Sequence, residues 1–317
     1  MMKGLSFKMG LAGGLFFLFL IICGPFLPGV DEHLTTRSYY KSFFNLPPYE
    51  PSSDFWLGSD RDGRDLYSAL ILGARHTLLT VVGISVLVFL LAFPLGIGAA
   101  HLPFVRWLLR GWNYFFSRIP LIFFVIFIAT IPYFVFSPHR FIFLLTLIVA
   151  LEVGKVAEVM QGNVSAIQRT PYYEAAIVSG TGIVGLCKWH YIPACFQQWL
   201  SLFFSHIGSM LFLIGQLGIF NIFLSHTFVL GYGYEIVNNI PVWPVYLSNI
   251  INDIKWAPWI PLSAACMMMG AMLSFFALGE GLRQRSLARQ EEGDTVSRKG
   301  VIRVLLSRAL IIKRENI

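Results

Sequence analysis

Hydrophobic and polar positions along this chain alternate in long blocks rather than with a short period. Apolar runs cover about residues 11–30, 78–100, 113–136, 141–160, 196–224 and 256–278. Crossing the hydrocarbon core of a bilayer as a helix takes about 20 apolar residues. The pattern therefore predicts an all-α integral membrane protein with six transmembrane helices. Pro94, Gly96 and Gly98 predict a bend at the end of the second helix, and Pro120 and Pro132 predict kinks in the third. Membrane helices tolerate such breaks where neighbours satisfy the freed backbone groups. Residues 101–112 read as a short loop, and residues 225–255, with Tyr232, Tyr234, Trp243 and Tyr246, as an aromatic-rich outer loop or re-entrant helix.

Composition agrees with a membrane solvent. The chain is 56% hydrophobic and 13% charged, whereas a soluble domain is about a quarter charged. Its net charge of +7 sits beside the apolar runs and so speaks to topology rather than to nucleic acid. With the N-terminus inside, 17 of the 24 Lys and Arg residues fall on the cytoplasmic side, as the positive-inside rule requires. The outer remainder includes Arg61, Arg64 and Arg75, and Asp60, Asp62 and Asp65 balance that stretch. The first run, preceded by Lys3 and Lys8, is open to two readings, a cleaved signal peptide or a retained first helix. The apolar runs that follow favour the retained helix. Cys23, Cys187, Cys195 and Cys266 form no C-x-x-C pair and support neither a disulfide framework nor a zinc site.

Two polar intervals carry the information about function. Residues 171–193 hold Pro171, suited to open a helix, and Glu174 in the first turn, where it faces the positive end of the helix dipole. Ala175 and Ala176 are small enough for close approach, Gly180 is suited to end the helix, and Pro193 closes a second short segment. This is a helix–turn–helix on a membrane surface, shaped for docking. The spacing Glu174-Ala175-Ala176, three residues, Gly180, then Ile192-Pro193 resembles the EAA loop of ABC importer permeases. His190 and Ile192 stand where that family usually has Ile and Leu, and Glu158 and Gln161 stand where it usually has Arg.

The second interval precedes the second helix. Gly58, Asp60, Gly63, Arg64, Asp65, Ser68, Gly73, Ala74, Arg75 and Leu78 form a glycine-punctuated turn with alternating charge. Read by itself, it suits internal ion pairs at a membrane boundary, or simply a solvated loop. The same residues resemble a signature of the C-type permease subunits of oligopeptide, dipeptide and nickel importers, with Ala69 replacing an Arg. A closing Gly279-Glu280-Gly281-Leu282-Arg283 is also similar to that family's end motif.

The resemblance implies a type I ABC importer permease fold with both termini cytoplasmic. It divides the chain into an N-terminal helix (1–30), an extracytoplasmic segment (31–77), a five-helix core (78–283) containing the loop 161–195, and a basic tail (284–317). In that tail, residues 299–314 read as an amphipathic helix with Val301, Val304, Leu305 and Ile312 on its apolar side. The implied partners are a second permease subunit, two ATPase subunits and an extracytoplasmic solute-binding protein. Tyr172, Glu174, Ala175, Ala176, Gly180, Ile192 and Pro193 would contact an ATPase. ATP and Mg would bind the ATPases, with no cofactor on this chain, which itself lacks a G-x-x-x-x-G-K-[ST] motif. H-E-x-x-H and G-x-S-x-G motifs are missing as well, so the sequence predicts a transport subunit rather than an enzyme. The resemblance makes oligopeptide or dipeptide the expected solute and the cell membrane the expected location. The alternatives are a nickel or metal-chelate permease of the same family, an ion-gradient-driven transporter, for which Glu152 is the nearest mid-membrane acid, and a non-transporting scaffold.

Overall fold

In a computed structural model, the protein is described over residues 5–35, 46–116, 118–137, 139–224, 227–230, 234–237 and 240–315. Helix α1 (Leu5–Cys23) ends in a 3-10 turn at Gly24–Phe26. Helix α2 (Leu66–His101) begins inside the glycine-punctuated stretch and runs on through Pro94. Two helices follow where one third span was expected: α3 (Pro103–Phe116) and α4 (Leu121–Ala129), meeting at 78°. Pro120 stands at the N-cap of α4; having no N–H and a fixed φ, it starts a helix more readily than it continues one. The predicted loop at 101–112 is thus largely helical.

A short α5 (Pro132–Val135) leads to α6 (Arg140–Ile167). Helices α7 (Pro171–Val178) and α8 (Ile183–Leu186) and a π turn at Cys187–Tyr191 then connect to α9 (Ile192–Ile219). An antiparallel hairpin of β1 (Thr227–Leu230) and β2 (Tyr234–Val237) pairs Thr227 with Val237. Its β-branched and aromatic residues suit strands. A 3-10 turn at Trp243–Leu247 and α10 (Ile250–Trp256) complete the predicted aromatic-rich region. Helix α11 (Trp259–Glu315) runs unbroken into the tail. The apolar side predicted for 299–314 concerns side chains that lie outside the described ones.

Among the described residues, four helices are long and apolar enough to cross a membrane: Ser6–Phe26, Leu66–His101, Ile183–Ile219 and Trp259–Ala288. The α3–α4 pair makes a fifth if it acts as one broken span. Helix α6 has the length but carries Glu152, Lys155 and Glu158. The chain is a multi-pass helical membrane protein.

The helices pack in two sets. Helix α2 lies mainly on α6, while α9 and α1 lie mainly on α11. Lipid tails are as apolar as leucine, so helices associate in a bilayer by close packing at small residues. Gly96 of α2 shows this: a Cβ there would come within 2.9 Å of the Ala157 carbonyl and of Met160 on α6. In the other set Gly281 of α11 receives Phe7 of α1, and Ser201 of α9 donates to the Gly279 carbonyl at 2.6 Å. Ile84, Ile148, Ile207, Leu211, Leu217 and Ile260 are fully buried between these helices. Leu90 and Phe127 are among the large apolar residues left on the outside, where a bilayer accommodates them.

Candidate coupling loop and its anchors

Helix α7 starts as its sequence dictates. Thr170 is extended, Pro171 occupies the first turn, and Glu174 lies exposed in that turn with no side-chain bond among the described residues. The helix ends on Gly180 at φ +78°. The Thr181 N–H donates to the Ala176 carbonyl at 3.1 Å, and the Gly180 N–H to Ile177 at 2.9 Å. This paired termination needs a left-handed residue, and glycine adopts that conformation without Cβ strain. Gly182 then caps α8.

The seven predicted loop residues fall on this one structure, with different exposures. Tyr172, Glu174, Ala175, Gly180, Ile192 and Pro193 are exposed, while Ala176 is buried beneath α7. Around them Val178 is 89% exposed, Val184 77% and Trp189 65%. These exposed side chains are mostly apolar, with the Glu174 carboxylate and the Lys188 ammonium, 5.0 Å from the centre of the Trp189 ring, among them. Tyr172 and His190 hold the two limbs together, their ring centroids 4.7 Å apart.

The anchor is Tyr191, which sequence reasoning missed. Its side chain is fully buried. Its hydroxyl lies 3.0 Å from His101 Nε2 at the end of α2 and accepts from Gln168 Nε2 at 3.4 Å. Its ring stacks with Tyr173 of α7 at 6.2 Å. One side chain thus joins the loop to the ends of α2 and α6. A tyrosine between two loop segments carries no periodic signal, so only the fold reveals this.

The glycine-punctuated stretch is a structural knot. Gly58 and Gly63 take φ near +78°. The Asp60 carboxylate, 5% exposed, accepts the N–H groups of Asp62 and Arg64 at 2.9 and 2.8 Å. Burial nonetheless raises its pKa above the ordinary carboxylate value, with Asp62 adding to the rise and the backbone donors opposing it. Asp65 caps α2, accepting from the Ser68 N–H at 2.8 Å, and the Ser68 hydroxyl accepts from the Asp31 N–H. Gly73 faces the Pro241 carbonyl with no room for a Cβ. Arg64 lies 3.6 Å from Asp62, and Arg75 is exposed. Arg61 and Asp253 form an ion pair across the fold, and the Trp259 Nε1–H donates to the Ser59 carbonyl at 3.2 Å. Trp243, fully buried, donates its Nε1–H to the Leu70 carbonyl at 2.7 Å. The stretch therefore fastens α2 to the 240–260 region. Arg61, Asp253 and Trp243 belong to that fastening, and no short-range pattern linked them.

Between the helix sets lies a buried polar cluster. His206 of α9 sits 3.0 Å from Ser85 Oγ of α2 through Nδ1, and 3.6 Å from Glu152 of α6 through Nε2. Lys155 pairs with the other Glu152 oxygen at 2.7 Å. The three helices each contribute a residue from near their middle. A buried charge is costly and persists where it is paired, as Glu152 is here. Glu158 accepts from Asn113 Nδ2 at 2.6 Å, and Gln161 bonds Ser165 on its own helix at 3.0 Å.

No protein-family model matches the chain. Curated proteins do. The chain is 24% identical over 237 residues to the glutathione transport system permease protein GsiD of Pectobacterium atrosepticum, covering 74% of this chain and 72% of that protein. It is 22% identical over 237 residues to the oligopeptide transport system permease protein OppC of Escherichia coli K12, covering 73% and 71%. Similarity to GsiD of E. coli O6:K15:H31 is 22% over 281 residues, covering 87% and 84%.

Proposed function

From its kinship with the permeases of oligopeptide and glutathione transport systems, we propose that this chain is the membrane permease subunit of an ATP-driven importer of small peptides. It belongs to the cytoplasmic membrane. Its six spans are α1, α2, the broken α3–α4 pair, α6, α9 and α11, with both termini in the cytoplasm. ATP and Mg bind to two separate ATPase subunits, and this chain performs no hydrolysis. A second permease completes the pathway, and an extracytoplasmic binding protein delivers the solute.

The observation that carries this reading is the loop 171–193: a mostly apolar exposed surface with Glu174 among its side chains, rigidly terminated at Gly180 and tied by Tyr191 to α2 and α6. An ATPase seated on that surface would pair a basic residue with Glu174 and pack on Ala175. Its closure on ATP would push the loop as a lever, and the anchored helix ends would carry the motion between outward- and inward-facing states, a two-state element biased by nucleotide.

The test is purification of the intact membrane complex from wild type and from the Glu174→Arg and Gly180→Trp variants. Wild type should bring down an ATPase with a P-loop and a second permease. The variants should lose the ATPase and retain the permease. A wild-type chain that purifies without any ATPase would refute the reading.

A further inference from the structure

The set of α2 and α6 and the set of α1, α9 and α11 are joined unevenly along their length. At the Leu66 end of α2 the join is close and made several times over. Gly24, at the end of α1, receives Ile71 of α2. The 241–244 turn presses on both sets at once. A Cβ at Gly73 of α2 would lie 2.9 Å from the Pro241 carbonyl, and one at Gly218 of α9 2.5 Å from the Pro244 carbonyl. The indole bonds of Trp243 and Trp259 and the Arg61–Asp253 pair act at the same end. Backbones packed this closely have no rotamers to rearrange, so this end moves as one piece.

Toward the His101 end of α2 the join changes character. There α2 meets α9 through side chains: Phe89 stands edge-on to Phe203 with ring centroids 5.1 Å apart, and Phe93 to Trp199 at 5.5 Å. Among the described residues, none of the close glycine contacts crosses between the sets along this stretch. Packed side chains of this kind let helices shear past one another. Two buried ring nitrogens on this half of α9, His206 Nε2 and Trp199 Nε1, have no hydrogen-bond partner among the described residues. An unmet buried polar group is costly, and its presence calls for a reason. His206 reaches across the seam: its Nδ1 lies 3.0 Å from Ser85 Oγ of α2, while its Nε2 stops 3.6 Å from Glu152 Oε2 of α6, beyond hydrogen-bond reach. Lys155 holds the other Glu152 oxygen.

We infer that the two helix sets pivot about the 241–244 turn, and that His206 is the latch across the seam they share. In the arrangement seen, the latch is half made, with Ser85 engaged and Glu152 not. A swing that brings α9 toward α6 until Nε2 stands about 3 Å from the carboxylate, the ordinary N–H···O length, completes it. The opposite swing releases Ser85 as well and parts the seam at the His101 end, while the turn holds the Leu66 end closed. A pivot of this kind stands whether or not an ATPase drives it, so its failure and that of the transport reading are separate results.

The test is double electron–electron resonance on the full chain with its co-purifying subunits in lipid vesicles. Nitroxides are carried on p-acetylphenylalanine, so the native cysteines stay unlabelled. One label pair, at Leu95 and Phe196, lies toward the His101 end of the seam; the other, at Leu79 and Phe212, lies toward the turn. All four positions are exposed. In wild type the first pair should show a minor second distance beside the main one, and the second pair a single distance. His206→Phe keeps a ring against Phe89 and loses both polar contacts. It should raise the ratio of second to main distance about tenfold, the factor for about 1.4 kcal/mol, the worth of one buried hydrogen bond. His206→Gln, with polar atoms for both partners, should restore the wild-type ratio. Ser85→Ala should shift it in the direction of His206→Phe, and it serves if the Phe variant does not fold. A first pair that shows the same distances in wild type and Ser85→Ala would overturn the latch. So would a Gln variant that behaves as Phe does. An equal change at Leu79 and Phe212 would overturn the pivot, because the seam would then loosen along its whole length.

Discussion

The pair Arg61–Asp253 gives the sharpest test of how the start of α2 is held to the α10 region. Arg61 Nε reaches the Asp253 oxygens at 3.2 and 3.1 Å, its Nη2 contacts Oδ2, and its Nη1 donates to Ser248 Oγ at 3.1 Å. The two partners differ in burial: the Asp253 side chain is 9% exposed and that of Arg61 32%. Breaking a fully buried pair costs about 3–5 kcal/mol, because one charge is left without a partner or water. The partial exposure of Arg61 lets water screen the site, so for Arg61→Ala we work with about 2–3 kcal/mol. Asp253→Ala should cost less, about 1 kcal/mol, because the freed guanidinium can turn to solvent. The double variant should then show a coupling of about 1–2 kcal/mol. The assay is reversible unfolding of the full chain in mixed micelles, followed by tryptophan fluorescence; Trp256 and Trp259 lie close to α10 and report locally. A larger loss for Asp253→Ala than for Arg61→Ala, or a coupling under about 0.5 kcal/mol, would refute the account.

Trp243→Phe should lose about 1 kcal/mol in the same assay, the net worth of the Nε1–H bond to Leu70, while Trp243→Ala should cost about 3–5 kcal/mol by opening a cavity. Gly180→Val should cost about 1–2 kcal/mol for its left-handed backbone, with no steric clash, read as faster proteolysis within 171–182. Because burial raises Asp60, the folded state holds more protons than the unfolded chain between the ordinary carboxylate value and the raised one, so this group lowers stability as pH rises through that window. Asp60→Asn should abolish that slope and keep the acceptor for the Asp62 and Arg64 N–H groups, whereas Asp60→Ala should lose about 1–3 kcal/mol at every pH; melting curves from pH 4 to 8 distinguish them.

The apolar blocks determined by themselves that this is a multi-pass helical membrane protein, because the length of an apolar run is measured against the bilayer and not against any partner. The 171–193 turn was equally legible: Pro171, Glu174 and Gly180 each act through local backbone chemistry, and α7 starts and ends where they direct. The signature residues were visible as a set, but what they do was not. Asp60 and Asp65 satisfy backbone donors, and Gly73 makes room for a distant carbonyl. The break between α3 and α4, the Tyr191 anchor, the Arg61–Asp253 pair and the meeting of Ser85, Glu152 and His206 arise from the packing of the folded chain. Each joins residues far apart in the chain, and such contacts leave no short-range period. They depend on which faces of α2, α6 and α9 the packing turns toward one another, and that choice is made by close approach at small residues rather than by hydrophobicity, which all faces of a membrane helix share.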